Sequence, residues 1–321
     1  MATASRDRPG ATGTARPWDP DVLARVRHLH LVARHLTAAW LHGDHRSRRV
    51  GQAVEFADYA EYQPGMDLRR LDWRVVGRTD RYVVKRFETE TELPCSVVLD
   101  LSGDLGTGTT GRRGGLPDLG RSKAGYAITL AATLVYFLHL HGEPVGLELL
   151  AGECPAGSSL PPRGGRNHLQ RLFLMLASAR PGGPGGLDRA LARVGARTRR
   201  RSFVGVVSDG MEEPSTWLPA LQTFARRGAD LRFFHVFDRR EWRLQFDRPS
   251  LFFSPEGGEP LAVDPAGAGK EFREVVAEYV AEVRGGVVAA GGRWLPVPTD
   301  LPLEQVVRAA VLDEPLQVEI P

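Results

Sequence analysis

The most chemically suggestive residues are acids placed where short apolar runs end. Asp100 follows the run SVVL (residues 96–99) and opens the stretch Asp100-Leu101-Ser102-Gly103-Asp104. Asp209 follows SFVGVVS, residues 202–208. In an open parallel sheet, ligands bind outside the carboxyl ends of the strands, near the point where strand order reverses. If the two runs are strands of such a sheet, Asp100, Ser102, Asp104 and Asp209 converge across more than a hundred positions of sequence. Hard oxygen donors of this kind suit Mg²⁺, Mn²⁺ or Ca²⁺. The same acids also serve to cap helices or accept loop amides, and position alone does not separate the two uses.

Other chemistries fit less well. GTGTTG after Asp104 matches G-x-G-x-x-G at Gly106, Gly108 and Gly111, but Arg112, Arg113, Gly114, Gly115 and Pro117 follow in place of a helix start. A P-loop needs Lys and Ser or Thr after its last glycine, where Arg112-Arg113 stands. A phosphotransferase using Asp100 as nucleophile needs a second carboxylate two residues on, and position 102 is Ser. Ser208 lies in V-S-D-G rather than the G-x-S-x-G elbow. The nine histidines show no metal spacing: His28 and His30 face different sides of a helix, and His42 and His45 sit in a loop beside Asp44.

The elements that must position these residues follow from periodicity. Residues 1–16 lack any and read as a disordered arm. Asp19 or Asp21 caps a helix to about Leu41, so residues 17–42 form an N-terminal helical segment. Residues 43–93 carry ten basic and ten acidic side chains. Within them WRVVGRTDRYVVKRFE reads as two strands around a turn near Thr79-Asp80, making a small β-rich subdomain. From 94 to 238 strands and helices alternate: a helix near 121–141, a strand at 144–150, helices near 167–177 and from 187, the strand ending at Ser208, a helix at 215–226 and the strand ADLRFFHVF. Such alternation means βαβ units and a mostly parallel, doubly wound sheet. Residues 239–264 read as a hairpin turning at Glu256-Gly257-Gly258, grouped with the β-rich subdomain. A helix at 271–283, a strand at 293–297 and a helix at 303–311 complete the core by residue 312, leaving 313–321 as a tail.

Composition removes whole classes. A net charge of +3 with balanced acids argues against a broad nucleic-acid-binding face. Cys95 and Cys154 show no disulfide-framework or zinc spacing, which points to a reducing, cytoplasmic setting. The N-terminus lacks a signal-peptide core, and the longest apolar stretch, around 127–140, is too short for a membrane span and reads as a buried helix. Gly and Pro make up 59 residues, well above the roughly 12% of average chains, and two glycine clusters, at 103–120 and 181–186, fall in loops of the edge that carries Asp100 and Asp209. Lysine is scarce: of 42 basic residues only Lys85, Lys123 and Lys270 are lysines, a bias expected of a GC-rich genome.

A resemblance enters at residues 43–102. Gly43, His45 and Ser47, then Glu55, Phe56, Tyr62, Gly65, Asp67, Arg69, Asp72 and Trp73, then Arg78, Lys85, Phe87 and Glu88 stand in the order and spacing typical of the bacterial domain of unknown function 58 family. The strand ending Asp100-Leu101-Ser102 follows as it does there, and the likeness extends over about residues 20–312. Met66 and Ala60 depart from the pattern, where that family has Asp and Arg. An internal network of Asp67, Arg69, Asp72 and Arg78 beside Trp73 is the expected use of these polar residues, fixing the subdomain on the sheet.

The resemblance implies a von Willebrand factor A-like core with a metal-ion-dependent adhesion site, D-x-S-x-S with a loop Thr and a distant Asp around Mg²⁺. It also implies a role as adaptor or co-chaperone of a MoxR-type AAA+ ATPase, acting on a client protein. Asp100, Ser102 and Asp209 match that site; Asp104 replaces its second Ser, and Leu187 of Gly185-Gly186-Leu187 replaces its Thr. The site is therefore degenerate: either Mg²⁺ or Mn²⁺ is lost, or Asp104 helps to hold it and weakens capture of a partner carboxylate. The expected function is non-catalytic protein binding. The alternatives are a metal-dependent hydrolase using Asp100, Asp104 and Asp209, and a scaffold with a dead metal site.

Overall fold

Apolar runs of five to eight residues, separated by helical stretches, assemble into one six-stranded sheet. The computed structural model describes residues 20–41, 56–62, 72–79, 81–87, 93–106, 122–150, 157–243, 250–252, 261–263 and 265–319. In chain order these form α1 (Pro20–Leu41), β1 (Phe56–Glu61), α2 (Trp73–Thr79), β2 (Val83–Phe87), β3 (Cys95–Asp100), α3 (Gly103–Gly106) and α4 (Lys123–Leu140). Then come β4 (Val145–Leu150), β5 (Ser159–Arg163), α5 (Arg166–Ser178), α6 (Leu187–Arg197), β6 (Phe203–Ser208), α7 (Pro214–Arg226) and β7 (Asp230–Phe237). The chain closes with α8 (Arg239–Trp242), β8 (Ser250–Phe252), β9 (Leu261–Val263), α9 (Pro265–Ala289), β10 (Arg293–Pro298) and α10 (Leu303–Leu312).

The chain divides into two units, one of residues 46–93 and one of residues 1–45 and 94–321. The smaller unit contains the antiparallel pair β1–β2, with Tyr59 opposite Lys85, and the helix α2. Here the structure corrects the expected hairpin: its first half, Trp73–Thr79, is helical. Asp72 is the reason, since its Oδ1 accepts the Arg74 amide at 3.0 Å and its carbonyl accepts the amides of Val75 and Val76. That helix start outweighs the strand preference of Val75-Val76. Asp67 and Arg69 of the expected charge network lie outside the described residues.

In the larger unit the strand order is β10-β7-β6-β3-β4-β5, parallel except for β5 on the edge. This is the expected α/β architecture with a mostly parallel sheet. The central strands β3, β4 and β6 are buried along nearly their whole length, as strands covered on both faces must be. On one face Val98, Val204, Val206, Leu231 and Phe233 pack with Leu187, Leu191, Trp217, Leu221 and Val283 of α6, α7 and α9. On the other, α4 packs on β3, β4, β6 and β7 and is itself joined by α1 and α5. Helix α4 has the length and apolarity of a membrane span, yet 15 of its 18 residues are buried, and Thr129 and Thr133 return their hydroxyls to the carbonyls of Gly125 and Thr129. It is the core helix of this sheet.

Several boundaries move. Strand β5, SLPPR, has no counterpart in the expectation because its two prolines forbid a central position. It pairs antiparallel at the sheet edge, where prolines are tolerated. Gly146 makes room for it, since a Cβ there would lie 2.7 Å from the Pro162 nitrogen. Helix α9 runs well beyond 271–283 at both ends, through Gly285 and Gly286, because packing overrides their low propensity. The β8–β9 pair is antiparallel as expected but belongs to the larger unit, not with 43–93. Its turn and residues 1–16 lie outside the described residues.

Glu148 on β4 is almost fully buried and is held by three donors from outside its strand. Arg193 Nε reaches Oε1 at 2.6 Å, and Arg197 and the Ser159 hydroxyl each reach Oε2 at 2.6 Å. The two arginines are half exposed and can turn to water, whereas the carboxylate cannot. Removing both arginines (Arg193→Ala with Arg197→Ala) strands a buried charge and should cost about 3–5 kcal/mol, against roughly 1–2 kcal/mol for Glu148→Gln. Urea unfolding of the variants checks this asymmetry, and equal costs would contradict it.

Candidate functional site at the β3–β6 switch point

The chain leaves β3 toward β4 and later returns to lay β6 on the other side of β3, so strand order reverses between β3 and β6. Leu99 pairs with Val207, which brings Asp100 at the end of β3 beside Ser208 and Asp209 at the end of β6. Asp100, Ser102 and Asp209 are all nearly inaccessible to solvent. Asp104, in the first turn of α3, is half-buried and near enough to act electrostatically on Asp209. The four acids and hydroxyls singled out in the sequence thus gather at one edge of the sheet.

Asp100 is bound into its own loops. Its Oδ1 accepts the Ser102 amide at 2.8 Å, and its Oδ2 accepts the Ser208 hydroxyl at 2.6 Å. Ser208 Oγ in turn accepts the Gly210 amide at 2.9 Å, in a turn that needs the positive φ of 63° at Gly210. The glycine-rich loop of residues 181–186 is stapled to the same edge: the Gly182 amide donates to the Leu101 carbonyl and the Gly103 amide to the Gly183 carbonyl. The sequence placed this loop at the site's rim, and these bonds put it there; residues 107–121 lie outside the described residues.

Asp209 is less well served. Its Oδ1 takes the Met211 amide at a long 3.4 Å, and its buried Oδ2 has no hydrogen-bond partner among the described residues. Among the described residues the nearest cation is the Lys123 ammonium, 3.7 Å from Oδ2 and 2.7 Å from Glu241 Oε2 on α8. Burial pushes the Asp209 carboxyl up, Lys123 pulls it down, and Asp100 and Asp104 push it up further. Burial likewise pushes Asp100 up, against the hydrogen bonds of Ser208 and Ser102. Burial opposes the charge on Lys123, but Asp209, Glu241 and Asp104 outweigh it and hold the ammonium above its usual value.

Reasoning from sequence alone missed Lys123, Ser208, Glu212, His235 and Glu241 as parts of this site. Ser208 was visible only as a nucleophile that lacks its elbow; its work is to tie β6 to β3. Glu212 Oε1 accepts the amides of Gly186 and Leu187 at 2.7 and 2.9 Å, capping α6 from outside that helix. A Cβ at Gly185 would lie 2.4 Å from that carboxylate, which accounts for glycine there. Leu187 is fully buried in the core, so no hydroxyl reaches the site from that position.

These residues offer little to a divalent ion. Among the described residues no three acidic, His or Cys side chains come together, so an ion here would depend on hydroxyl and water ligands beside the two carboxylates. Each Asp100 oxygen already accepts a bond from its own loops, and Leu187 supplies hydrocarbon. An ion coordinated by Asp209 Oδ2 would lie within ~6 Å of the Lys123 ammonium, a repulsion of about 5 kcal/mol at an effective dielectric of about 20. Among the described residues the donor set does not fit resident Mg²⁺ or Mn²⁺.

His235 on β7 supports Asp209 from beneath. Trp294 Nε1 donates to its Nδ1 at 3.2 Å, which leaves the proton on Nε2 to donate to the Asp209 carbonyl at 2.8 Å. The ring is fully buried between aromatic neighbours, and burial first of all pushes its pKa down to about 4. The unfolded imidazole accepts its proton near 6.5. This group's contribution to stability is therefore complete above about 6.5 and is lost as pH falls toward 4, by up to about 3 kcal/mol. His235→Gln, which can keep both hydrogen bonds, should flatten that part of the pH dependence in urea unfolding. An unchanged slope would contradict the assignment.

Comparison with known proteins follows this geometry. The chain is 29% identical over 288 residues to the uncharacterized protein Mb1516 of Mycobacterium bovis and, to the same extent, to the uncharacterized protein Rv1480 of Mycobacterium tuberculosis, covering 88% of this chain and 86% of each relative. Among solved structures it is similar to BatB from Bacteroides thetaiotaomicron, at a TM-score of 0.42 and 14% identity over 67% of this chain and 95% of that one. An aerotolerance-related membrane protein from Bacteroides fragilis gives a TM-score of 0.41 and 14% identity over 69% and 98%. A family model described as "Protein of unknown function DUF58" matches residues 58–284, more than half of the chain, and the chain belongs to that family.

Proposed function

We propose that this chain is a non-catalytic protein-binding adaptor whose working face is the β3–β6 edge, and that its partner is a MoxR-type AAA+ ATPase acting with it on a client protein in the cytoplasm. The observation that carries the reading is the way the edge is built. Its carboxylates are buried and tied into their own loops, while the loop they anchor presents Met211 to solvent at 55% exposure. Asp209 and Gly210 fix that loop from below, and Glu212 joins it to the start of α6. Around Met211 lies an open concavity bounded by Gly185, Asp188, Arg189, Glu212, Glu213 and Thr216. An adaptable thioether on a loop held by these bonds, rimmed by three acids and Arg189, suits a partner surface that is apolar at its centre and mainly basic at its edge. The central strand ending Asp100-Leu101-Ser102 and its neighbour ending Ser208-Asp209 favour a von Willebrand factor A-like reading of the sheet.

A hydrolase needs a carboxylate or hydroxyl placed to activate water, whereas Asp100 and Ser208 are bonded to each other and Asp209 is buried beside the Lys123 ammonium. Affinity capture tests the adaptor reading. The immobilised chain should retain a MoxR-type ATPase from the same organism, and Met211→Asp should weaken retention by about tenfold or more while leaving the thermal midpoint unchanged. Absence of capture by the wild type would remove the partner. Metal-dependent phosphoester hydrolysis abolished by Asp100→Ala would replace the adaptor with an enzyme.

A further inference from the structure

We propose that the Lys123 ammonium is the resident cation of the β3–β6 site, a built-in charge that does there the work a divalent ion would otherwise do. Three observations carry this. The first is geometry: Nζ stands 2.7 Å from Glu241 Oε2 and 3.7 Å from Asp209 Oδ2, the buried oxygen that has no hydrogen-bond partner among the described residues. The second is cost. Lys123 is almost fully buried and is the first residue of α4, directly after the Ser122 cap, where the helix dipole disfavours a positive side chain. A buried lysine in that position is tolerated because the carboxylates of Asp209, Glu241 and Asp104 act on it together.

The third is residue choice. The chain writes nearly every cation as arginine, yet this buried position is one of its three lysines. An ammonium is a compact point charge with three donors, and it fits between carboxylates on separate elements in less space than a planar guanidinium occupies. By bridging the start of α4, the loop after β6 and helix α8, the ammonium fastens the elements that frame the edge. This assignment concerns the site's own chemistry and stands whichever partner the face engages.

The test uses the full chain with MgCl₂ and MnCl₂ as probes. Wild-type protein should give no heat of binding in calorimetry and no shift in thermal midpoint with either salt at millimolar concentration, and EDTA should change nothing. Lys123→Ala should lower the midpoint and gain Mn²⁺ affinity by about tenfold or more, a gain that a merely structural lysine would not produce. If Lys123→Ala fails to fold, the pair Lys123→Met and Asp209→Asn supplies a second reading. Removing the carboxylate with the ammonium should restore much of the midpoint lost with the ammonium alone. Wild-type Mn²⁺ binding that is lost in Asp209→Asn would overturn the proposal, as would additive losses in the double variant.

Discussion

Two carboxylates, Asp100 and Asp209, end adjacent parallel strands inside a shell of protein, and their shared negative charge has to be compensated without water. Everything at this edge answers that constraint. Asp100 is compensated by hydrogen bonds drawn from its own loop and from Ser208, which also locks β6 to β3. Among the described residues Asp209 receives little from hydrogen bonds and relies on charge, with Lys123 3.7 Å away. The turn at Gly210 is held by Ser208, which is itself bonded to Asp100; the glycine loop of 181–186 is bonded to Leu101 and Gly103, and Glu212, just after Asp209 in sequence, clamps the start of α6.

The sheet explains why such a pair exists at all. Parallel strands buried on both faces leave only their ends for polar chemistry, and the reversal of strand order between β3 and β6 opens a crevice there. A site that holds its charge in a lysine rather than an ion has that charge in place before any partner arrives. For a binding face this lowers the ordering cost of association, which is the advantage a pre-organised surface offers. The exposed Met211 sits on the loop that this arrangement holds still.

Much of this was legible in the sequence. The alternation of apolar runs with helical stretches yields the sheet, and SVVLD with VGVVSD marks its edge, although the acids' use there, as ligands or as loop acceptors, was open from sequence. The polar partners were less visible. Lys123 could have been found from its rarity beside a Ser cap, but nothing local links it to Asp209 or Glu241, over eighty positions away. Val75-Val76 suggested a strand, and only the hydrogen bonds of Asp72 reveal α2. The proline-rich β5 was invisible because edge strands obey looser rules than central ones.

The scarcity of lysine gives the most direct measurement. In protein labelled only with ¹⁵N-lysine, the side-chain ammonium groups give three signals at most. The account predicts that the Lys123 signal, identified by its loss in Lys123→Arg, is protected from solvent exchange, survives into alkaline pH and stays sharp when Mn²⁺ is added. A Lys123 ammonium that exchanges like an exposed lysine, or one broadened selectively by Mn²⁺, would contradict it.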